Sequence, residues 1–514
     1  MNKIYILAIA VLIFIMSGCS KDYLETTPTG SISPSTLFKT TENAAIAVNG
    51  LNKLMNRQLI GSQGYNGEGT IKLYFGDYPG QTMSVALTGW NNTINGEYHA
   101  SDTDRRTYYA WYYYYMLIGN ANTIIEEIDD AEGPEAERQF IKAQALSYRA
   151  FSYMNLIQLY SVRWIDSNNG SAPGVVLRLD TSTGDMPLST QAEVYDQIYK
   201  DLDDAIDLFT KSGIERDEEW MMGLDVAYAI YARAAITKQD YAKALSMAKK
   251  ARANYPLMSV AEYKAGFCNP TKEWIWYLYN TDTETLYYYS YFAYVGYNAV
   301  ASQVRNYPKC ISRELFNKIP ETDIRRGLFL DPKGMSYSTV NGFATKGKAL
   351  DKYGRQYASE DGRKGIESNF KVFAYMQFKI ATEGQPGIGN LSLFRSSEMV
   401  LIEAEANYFL NNIGDAQKNL VELNKTSKRD PEYNCVSTGV DLLNEIKFYR
   451  EVELWGEGFN WFDLKRWGDS IVRRSFKDGG NFLSAVAVTI GPHEKNEWTW
   501  VIPKKETDYN KEIR

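Results

Sequence analysis

The stretches "DVAYAIYARAAIT" (Asp225–Thr237) and "DYAKALSMAKKARAN" (Asp240–Asn254), closed by Pro256, decide how this chain folds. Each places apolar and small residues at helical spacing, and a two-residue link, Lys238-Gln239, joins them. Their alanines let the backbones approach closely, and Pro256 cannot continue the second helix. A hairpin of this kind leaves one face to be covered by a neighbour, so more helical pairs are expected around it.

Within the hairpin, Tyr228, Ala232, Tyr241, Ala244, Ala251 and Pro256 fall at relative positions 4, 8, 17, 20, 27 and 32. This pattern resembles a tetratricopeptide repeat. A second pair, "SEMVLIEAEANYFL" and "DAQKNLVELNKTSKRDP", has the same shape and also ends in proline, Pro431. Helical periodicity continues elsewhere. Ala44, Val48, Leu51 and Met55 form one stripe, and helices are expected over about 104–129, 135–160 and 191–209. In the first of these, Trp111, Tyr115, Ile118, Asn122 and Ile125 form the apolar stripe, which leaves Tyr109 and Tyr113 of "YYAWYYYY" pointing outward. Residues 60–100 are Gly-rich and irregular. From about 257 to 390, Gly, Tyr, Asn and short β-like runs ("EWIWYLYN", "FKVFAYMQFKI") replace the helical pattern.

The fold expected is therefore mainly α, a tetratricopeptide-repeat-like helical scaffold with a loop-rich, partly β insertion forming the ligand face. Residues 36–514 read as a single domain, with scaffold over about 36–256 and 391–470 and the insertion over about 257–390. Loops held by a rigid scaffold are where binding residues gather.

Composition narrows the function. The 514 residues carry a net charge of −7 with no block of Lys and Arg, which argues against nucleic acid as a partner. Only His99 and His493 occur, so histidine triads and multi-His metal sites are not expected. Cys268, Cys310 and Cys435 are too far apart for a metal site and read as small buried hydrophobes, whether or not one pair is bridged. No cofactor or metal is called for. "SDTDRR" and "NTDTET" lack the spacing of a known cation loop and read as helix caps or surface. The aromatic share is high, 14% with 39 Tyr. Tyrosine suits both cores and wet recognition surfaces.

At the N-terminus, Lys3 is followed by the apolar run "IYILAIAVLIFIM" (Ile4–Met16) and then "SGCS". The run is short for a membrane span and right for a signal peptide. With Cys19 behind two small residues, the segment resembles a bacterial lipobox, although Met16 stands where Leu is usual. Residues 1–18 then form the signal peptide, Cys19 carries the lipid, and 19–35 are a flexible leader. Acyl chains contribute about 0.8 kcal/mol per buried CH₂, which anchors the protein to a membrane without spanning it.

The C-terminal run "REVELWGEGFNWFDLKRWG" (Arg450–Gly468) resembles the signature of the SusD/RagB family, the outer-membrane lipoproteins of Bacteroidetes nutrient uptake. "DYLETTPTG", "KAQALSYRAFSYMNLIQLY", "ETDIRR", "LFRSSEMVLIEAEANYFLNNIGDAQKNLVELN" and "WVIPKKETDYN" resemble family segments in the same order. Phe459 and Asn460 depart from it, standing where the family commonly has His and Arg. The resemblance implies an oligosaccharide-capturing lipoprotein on the outer membrane, facing the exterior, which acts as a lid on a SusC-like TonB-dependent transporter. It implies no chemistry on the ligand. Peptide capture, as in a RagB-like branch, is the alternative within the family; a lipid-anchored glycoside hydrolase is the alternative outside it.

A hydrolase would need two carboxylates about 5 Å or 6.5–9.5 Å apart across a sugar. Glu451, Glu453, Glu457 and Asp463 are close in sequence, but they lie among Trp455, Phe459, Trp461, Phe462 and Trp467 and read as buried partners of Arg450, Lys465 and Arg466. A sugar offers an apolar C–H face and a hydroxyl rim, so it stacks on aromatic rings while Asn or Arg binds the rim. The family resemblance points to the loop before the long N-terminal helix and to the segment after the central strand. Chosen there on chemistry, the candidate ligand residues are Trp90, Asn91, Tyr98, Tyr287, Tyr288, Tyr289, Tyr291, Tyr294, Asn298 and Arg305.

Overall fold

The computed structural model describes residues 34–61, 64–281, 289–494 and 498–513. The signal peptide, Cys19, Tyr287 and Tyr288 lie outside the described residues. The longer helices are α1 (Thr41–Leu54), α2 (Arg105–Glu127), α3 (Glu135–Tyr160), α4 (Gln191–Ser212), α5 (Leu224–Thr237), α6 (Tyr241–Ala251), α7 (Ala349–Tyr357), α8 (Ser396–Phe409), α9 (Ile413–Val421), α10 (Gly439–Glu453) and α11 (Asn460–Trp467). No described helix is long and apolar enough to cross a membrane.

The helix ends carry their own signals. Asp104 caps α2 by accepting from Arg106 N at 2.7 Å. Thr190 and Glu193 form a reciprocal capping box on α4, whose far end stops at Gly213 in the left-handed region. Asp240 caps α6. These helices stack in sequence order: α2 on α3, α3 on α4, α4 on α5, α5 on α6, then α6 on α8 and α8 on α9. Such a layered stack buries each hairpin's open face against the next. The Asp225–Asn254 hairpin thus sits inside the superhelix.

Helices α3 and α8 are buried nearly all round. A helix buried all round is a central element, and any charge on it needs a partner. In α8, Glu398 pairs with Arg233 at 2.7 Å and Glu405 with Arg466. Arg252 bridges Glu403 of α8 and Glu422 beyond α9. These pairs fix the register between layers.

The insertion is tied down at both ends by one antiparallel ladder. Strand Trp274–Leu278 pairs with strand Leu391–Arg395, with partners Trp274↔Arg395 and Leu278↔Leu391. A second ladder joins Met83–Val85 to Lys309–Ile311. "FKVFAYMQFKI" forms isolated bridges such as Phe343↔Phe373 and Cys310↔Met376 rather than a strand. Two expectations need correction. Residues 67–77, taken as irregular, form a continuous and wholly buried helical segment. Tyr109 and Tyr113 face inward as a buried stacked pair, 5.8 Å apart at 5°. The buried 67–77 segment covers the side of α2 that the periodicity assigned to solvent, and Tyr109 donates to Gly67 O at 3.0 Å. Cys268, Cys310 and Cys435 are all free and buried.

Candidate functional site

The four C-terminal carboxylates define a lock rather than a cleft. Arg395 lies between two of them, with Nη1 2.7 Å from Glu453 and Nη2 2.8 Å from Glu457, and its Nη1 also reaches Glu273 at 2.8 Å. Arg325 and Arg429 reach the other Glu453 oxygen at 3.0 and 3.2 Å, and Lys379 reaches Glu457 at 2.6 Å. The sequence placed Arg450, Lys465 and Arg466 opposite these acids. For Asp463 that holds, since Arg450 and Arg466 pair with it at 2.7 and 2.9 Å; for Glu453 and Glu457 it does not, and Lys465 ties off the end of α3 through Gln158 O and Ser161 O. Glu451 accepts from Gln81 and Asn460, so Asn460 serves the fold in its own way.

Burial alone would raise the carboxyls of Glu453 and Glu457. Arg429, Arg395 and Arg325 nevertheless hold Glu453 well below the usual range, and Arg395 with Lys379 brings Glu457 down to about 2. Permanently ionised and encased in guanidinium, neither can deliver a proton to a leaving group. The pH dependence of stability follows. A depressed folded pKa stabilises above the unfolded value of 4.5 and is lost as pH falls toward 2. Glu68 and Asp77 act in the opposite window, since burial pushes both up to about 7 and stability falls as pH rises toward that value. Below neutrality, thermal midpoints measured across the acid range should therefore peak near about pH 4.5 and drop on both sides.

The aromatic face is built elsewhere, around Trp90. Gly89, at φ +90°, turns the chain so that Trp90 stands at the start of the short helix Asn91–Ile94, anchored by buried Ile94. The indole is half-buried. It rests against Tyr74 (5.5 Å between ring centres), Tyr294 (6.1 Å) and Tyr78 (6.4 Å). Tyr74 and Tyr78 belong to or adjoin the buried 67–77 segment and stack on each other at 5.9 Å. Tyr65 completes the layer, 6.3 Å from Tyr74 and 5.0 Å from Tyr109. Beside Trp90, Asn91 Oδ1 is buried with no hydrogen-bond partner.

Tyr289, Tyr291 and Tyr294 line a small pocket with Gly64, Gly69 and Tyr74. Gly64 is required there, because a Cβ would stand 2.9 Å from Tyr74 Oη and 3.0 Å from Tyr294 Oη. Tyr289 is half-buried, whereas Tyr291 and Tyr294 are buried. Tyr291 donates to Gly456 O, which makes it a tie between the insertion and the C-terminal motif. Tyr291→Phe should cost about 1–3 kcal/mol in chemical denaturation, since it strands that carbonyl. Burial holds the Tyr74 hydroxyl well above its ordinary pKa and also raises that of Tyr294, so both remain donors at neutral pH.

The structure thus brings Trp90, Asn91, Tyr289, Tyr291 and Tyr294 together. Asn298 is committed to Thr382, exchanging bonds of 2.8 and 3.1 Å with its backbone. Arg305 ends the short helix Ser302–Arg305, next to the Ala299–Val304–Phe370 cluster. Tyr98 lies in the turn Glu97–Ala100 after Trp90. Sequence reasoning missed Tyr65, Tyr74 and Tyr78, the layer beneath the indole; Tyr74 and Tyr78 at i,i+4 were the available signal.

A helical-repeat scaffold with a loop-rich insertion and a locked C-terminal motif defines the class of fold. The family model described as "SusD family" matches residues 236–513, and that described as "Starch-binding associating with outer membrane" matches residues 22–236. The chain belongs to the SusD family. SusD-like protein P38 of Formosa agariphila is 24% identical over 508 residues, covering 91% of this chain and 92% of that one. SusD-like protein P2 of the same organism is 26% identical over 249 residues, 48% of this chain and 46% of its own length, so the chain spans about half of that relative. Among solved structures, a SusD-like carbohydrate binding protein from Bacteroides vulgatus superposes with a TM-score of 0.74 at 24% identity, over 93% of this chain and 98% of that one. A SusD superfamily protein from Bacteroides thetaiotaomicron gives 0.73 at 22%, over 92% and 99%. These likenesses establish the shared fold.

Proposed function

We propose that this protein captures oligosaccharides on the Trp90 face and passes them to a SusC-like TonB-dependent transporter, held at the outer membrane by a lipid on Cys19 and facing the exterior. The observation that carries this reading is Trp90 itself, a half-buried indole on a bed of tyrosines. A pyranose C–H face stacks on the indole, the half-buried Asn91 side chain borders the hydroxyl rim, and Tyr289 extends the stacking surface. Tyr98, Tyr287 and Tyr288 flank this face in sequence and extend it in the proposal. Tyr291 and Tyr294 support the surface from below.

The ligand leaves unchanged in this reading, since Glu453, Glu457 and Asp463 are held in ion pairs and Glu451 is buried against the Gln81 and Asn460 amides. Peptide capture is less well supported, because the face offers aromatic rings rather than a long open strand edge. Affinity electrophoresis of residues 20–514 tests the proposal. Gels containing starch, xylan, β-glucan or galactomannan should retard the protein in at least one case, and a tryptic peptide pool should not compete. Retardation by none, with binding of the peptide pool, would replace this reading by peptide capture.

A further inference from the structure

The run "YYAWYYYY" supplies a second aromatic surface that the Trp90 face does not use. Tyr109 and Tyr113 point into the core, while Tyr108, Trp111, Tyr112 and Tyr115 occupy the other side of α2. There they line an open groove of about 590 Å³, completed by the loop 178–183 and the C-terminal segment through Tyr509. That volume lies within the about 300–1,000 Å³ typical of small-ligand clefts.

The groove is built from fixed parts. Trp111 Nε1 donates to Glu506 at 3.2 Å, and Tyr115 donates to Val176 O at 2.7 Å. Asn122 Nδ2 pins the opposite rim by donating to Arg178 O at 3.0 Å and Asp180 O at 2.8 Å. Tyr108 and Tyr112 present rings 5.5 Å apart at 34°, with Lys505 Nζ 4.3 Å above Tyr108. Tyr509 is 81% exposed at the mouth, a position that packing does not explain. Arg178 faces Glu506 at 3.7 Å, so the charges lining the groove largely answer one another.

Gly119 adds an independent observation. It sits inside α2 and lines the groove, yet a Cβ there would meet nothing within 4 Å. Glycine in a helix interior costs about 1 kcal/mol relative to alanine, so neither packing nor helix propensity accounts for it. What it provides is an open floor between the tyrosines and the Asp180–Thr183 rim.

We infer that this groove is a second glycan-binding site, taking a short, uncharged oligosaccharide that stacks on Tyr108, Tyr112 and Tyr509 and is bonded at its rim by Asp180, Thr181 and Lys505. The inference rests on the glycan-capture reading and extends it to a two-site protein. Paired aromatic rings select the apolar faces of successive sugars, and the compensated charge selects a neutral chain over a charged one. A second site would hold a long chain while its end occupies the Trp90 face, multiplying the two affinities through effective concentration.

Gly119→Leu tests it cleanly, because the substitution favours the helix and fills the groove floor. The wild type, Gly119→Leu, Tyr112→Ala, Trp90→Ala and the Gly119→Leu/Trp90→Ala double variant would be run in gels containing starch, xylan, β-glucan or galactomannan. Gly119→Leu should melt no lower than wild type yet bind a retarding polysaccharide about tenfold more weakly, Tyr112→Ala should follow it, and the double variant should not be retarded. Normal retardation of both groove variants, with Trp90→Ala fully released, overturns the second site while leaving glycan capture standing. Retardation lost in Gly119→Leu but kept in Trp90→Ala supports the groove and overturns the Trp90 face. A wild type retarded by no polysaccharide overturns both.

Discussion

Arg395→Ala is expected to destabilise the protein by about 3–5 kcal/mol, the cost of leaving buried carboxylates without their cation. Arg395 is 1% exposed and serves Glu273, Glu453 and Glu457 at once. It ends the strand Leu391–Arg395, Glu273 immediately precedes the strand Trp274–Leu278, and Glu453 ends α10. One side chain therefore joins both ends of the insertion to the C-terminal motif. Denaturant unfolding measures the loss, and a double-mutant cycle assigns it. Arg395→Ala combined with Glu453→Gln should cost clearly less than the sum of the two single changes, because each single change already loses the ion pair between them and leaves the other member without it. Additive losses would mean that the two residues do not share a network.

Trp90→Ala is expected to leave the fold intact and weaken oligosaccharide binding at this face by about ten- to a hundredfold, as for an aromatic hot spot seated on a rigid bed. The indole is half-buried, so its removal exposes Tyr74, Tyr78 and Tyr294 without opening the core. Titration with an oligosaccharide from the retarding polysaccharide measures the loss, and a melting curve checks the fold. A collapsed fold with undiminished affinity per folded molecule would assign Trp90 to packing alone.

Much of the architecture was legible because local rules and tertiary packing agree in the scaffold. The Asp225–Asn254 hairpin and the α3 boundaries both follow from helical spacing. The buried segment 67–77 was not legible. Its glycines read as loop, yet Gly76 lies where a Cβ would come within 2.2 Å of Gly458 O, so they serve close packing. The same hidden element turned Tyr109 and Tyr113 inward, since periodicity finds one apolar stripe and cannot report a second neighbour on the other side.

The candidate site was legible by region and less so by residue. Trp90 and Asn91 stand where a short turn must present them, but in the tyrosine run alternation could not separate Tyr289, half-buried, from Tyr291, tied to Gly456 O. The C-terminal acids were legible as structural from the aromatics around them. The Arg450 and Arg466 pairs to Asp463 were legible from proximity in sequence, but the partners of Glu453 and Glu457 were not, because Arg325, Arg395 and Arg429 are distant in sequence and brought in by the fold.

Isothermal titration of residues 20–514 with an oligosaccharide from the retarding polysaccharide, followed by a reducing-end assay on the same sample, tests capture without chemistry most directly. The account predicts saturable heat, reduced by Trp90→Ala, and no new reducing ends after prolonged incubation. Reducing ends that accumulate with time, or heat that appears only with peptides, would contradict it.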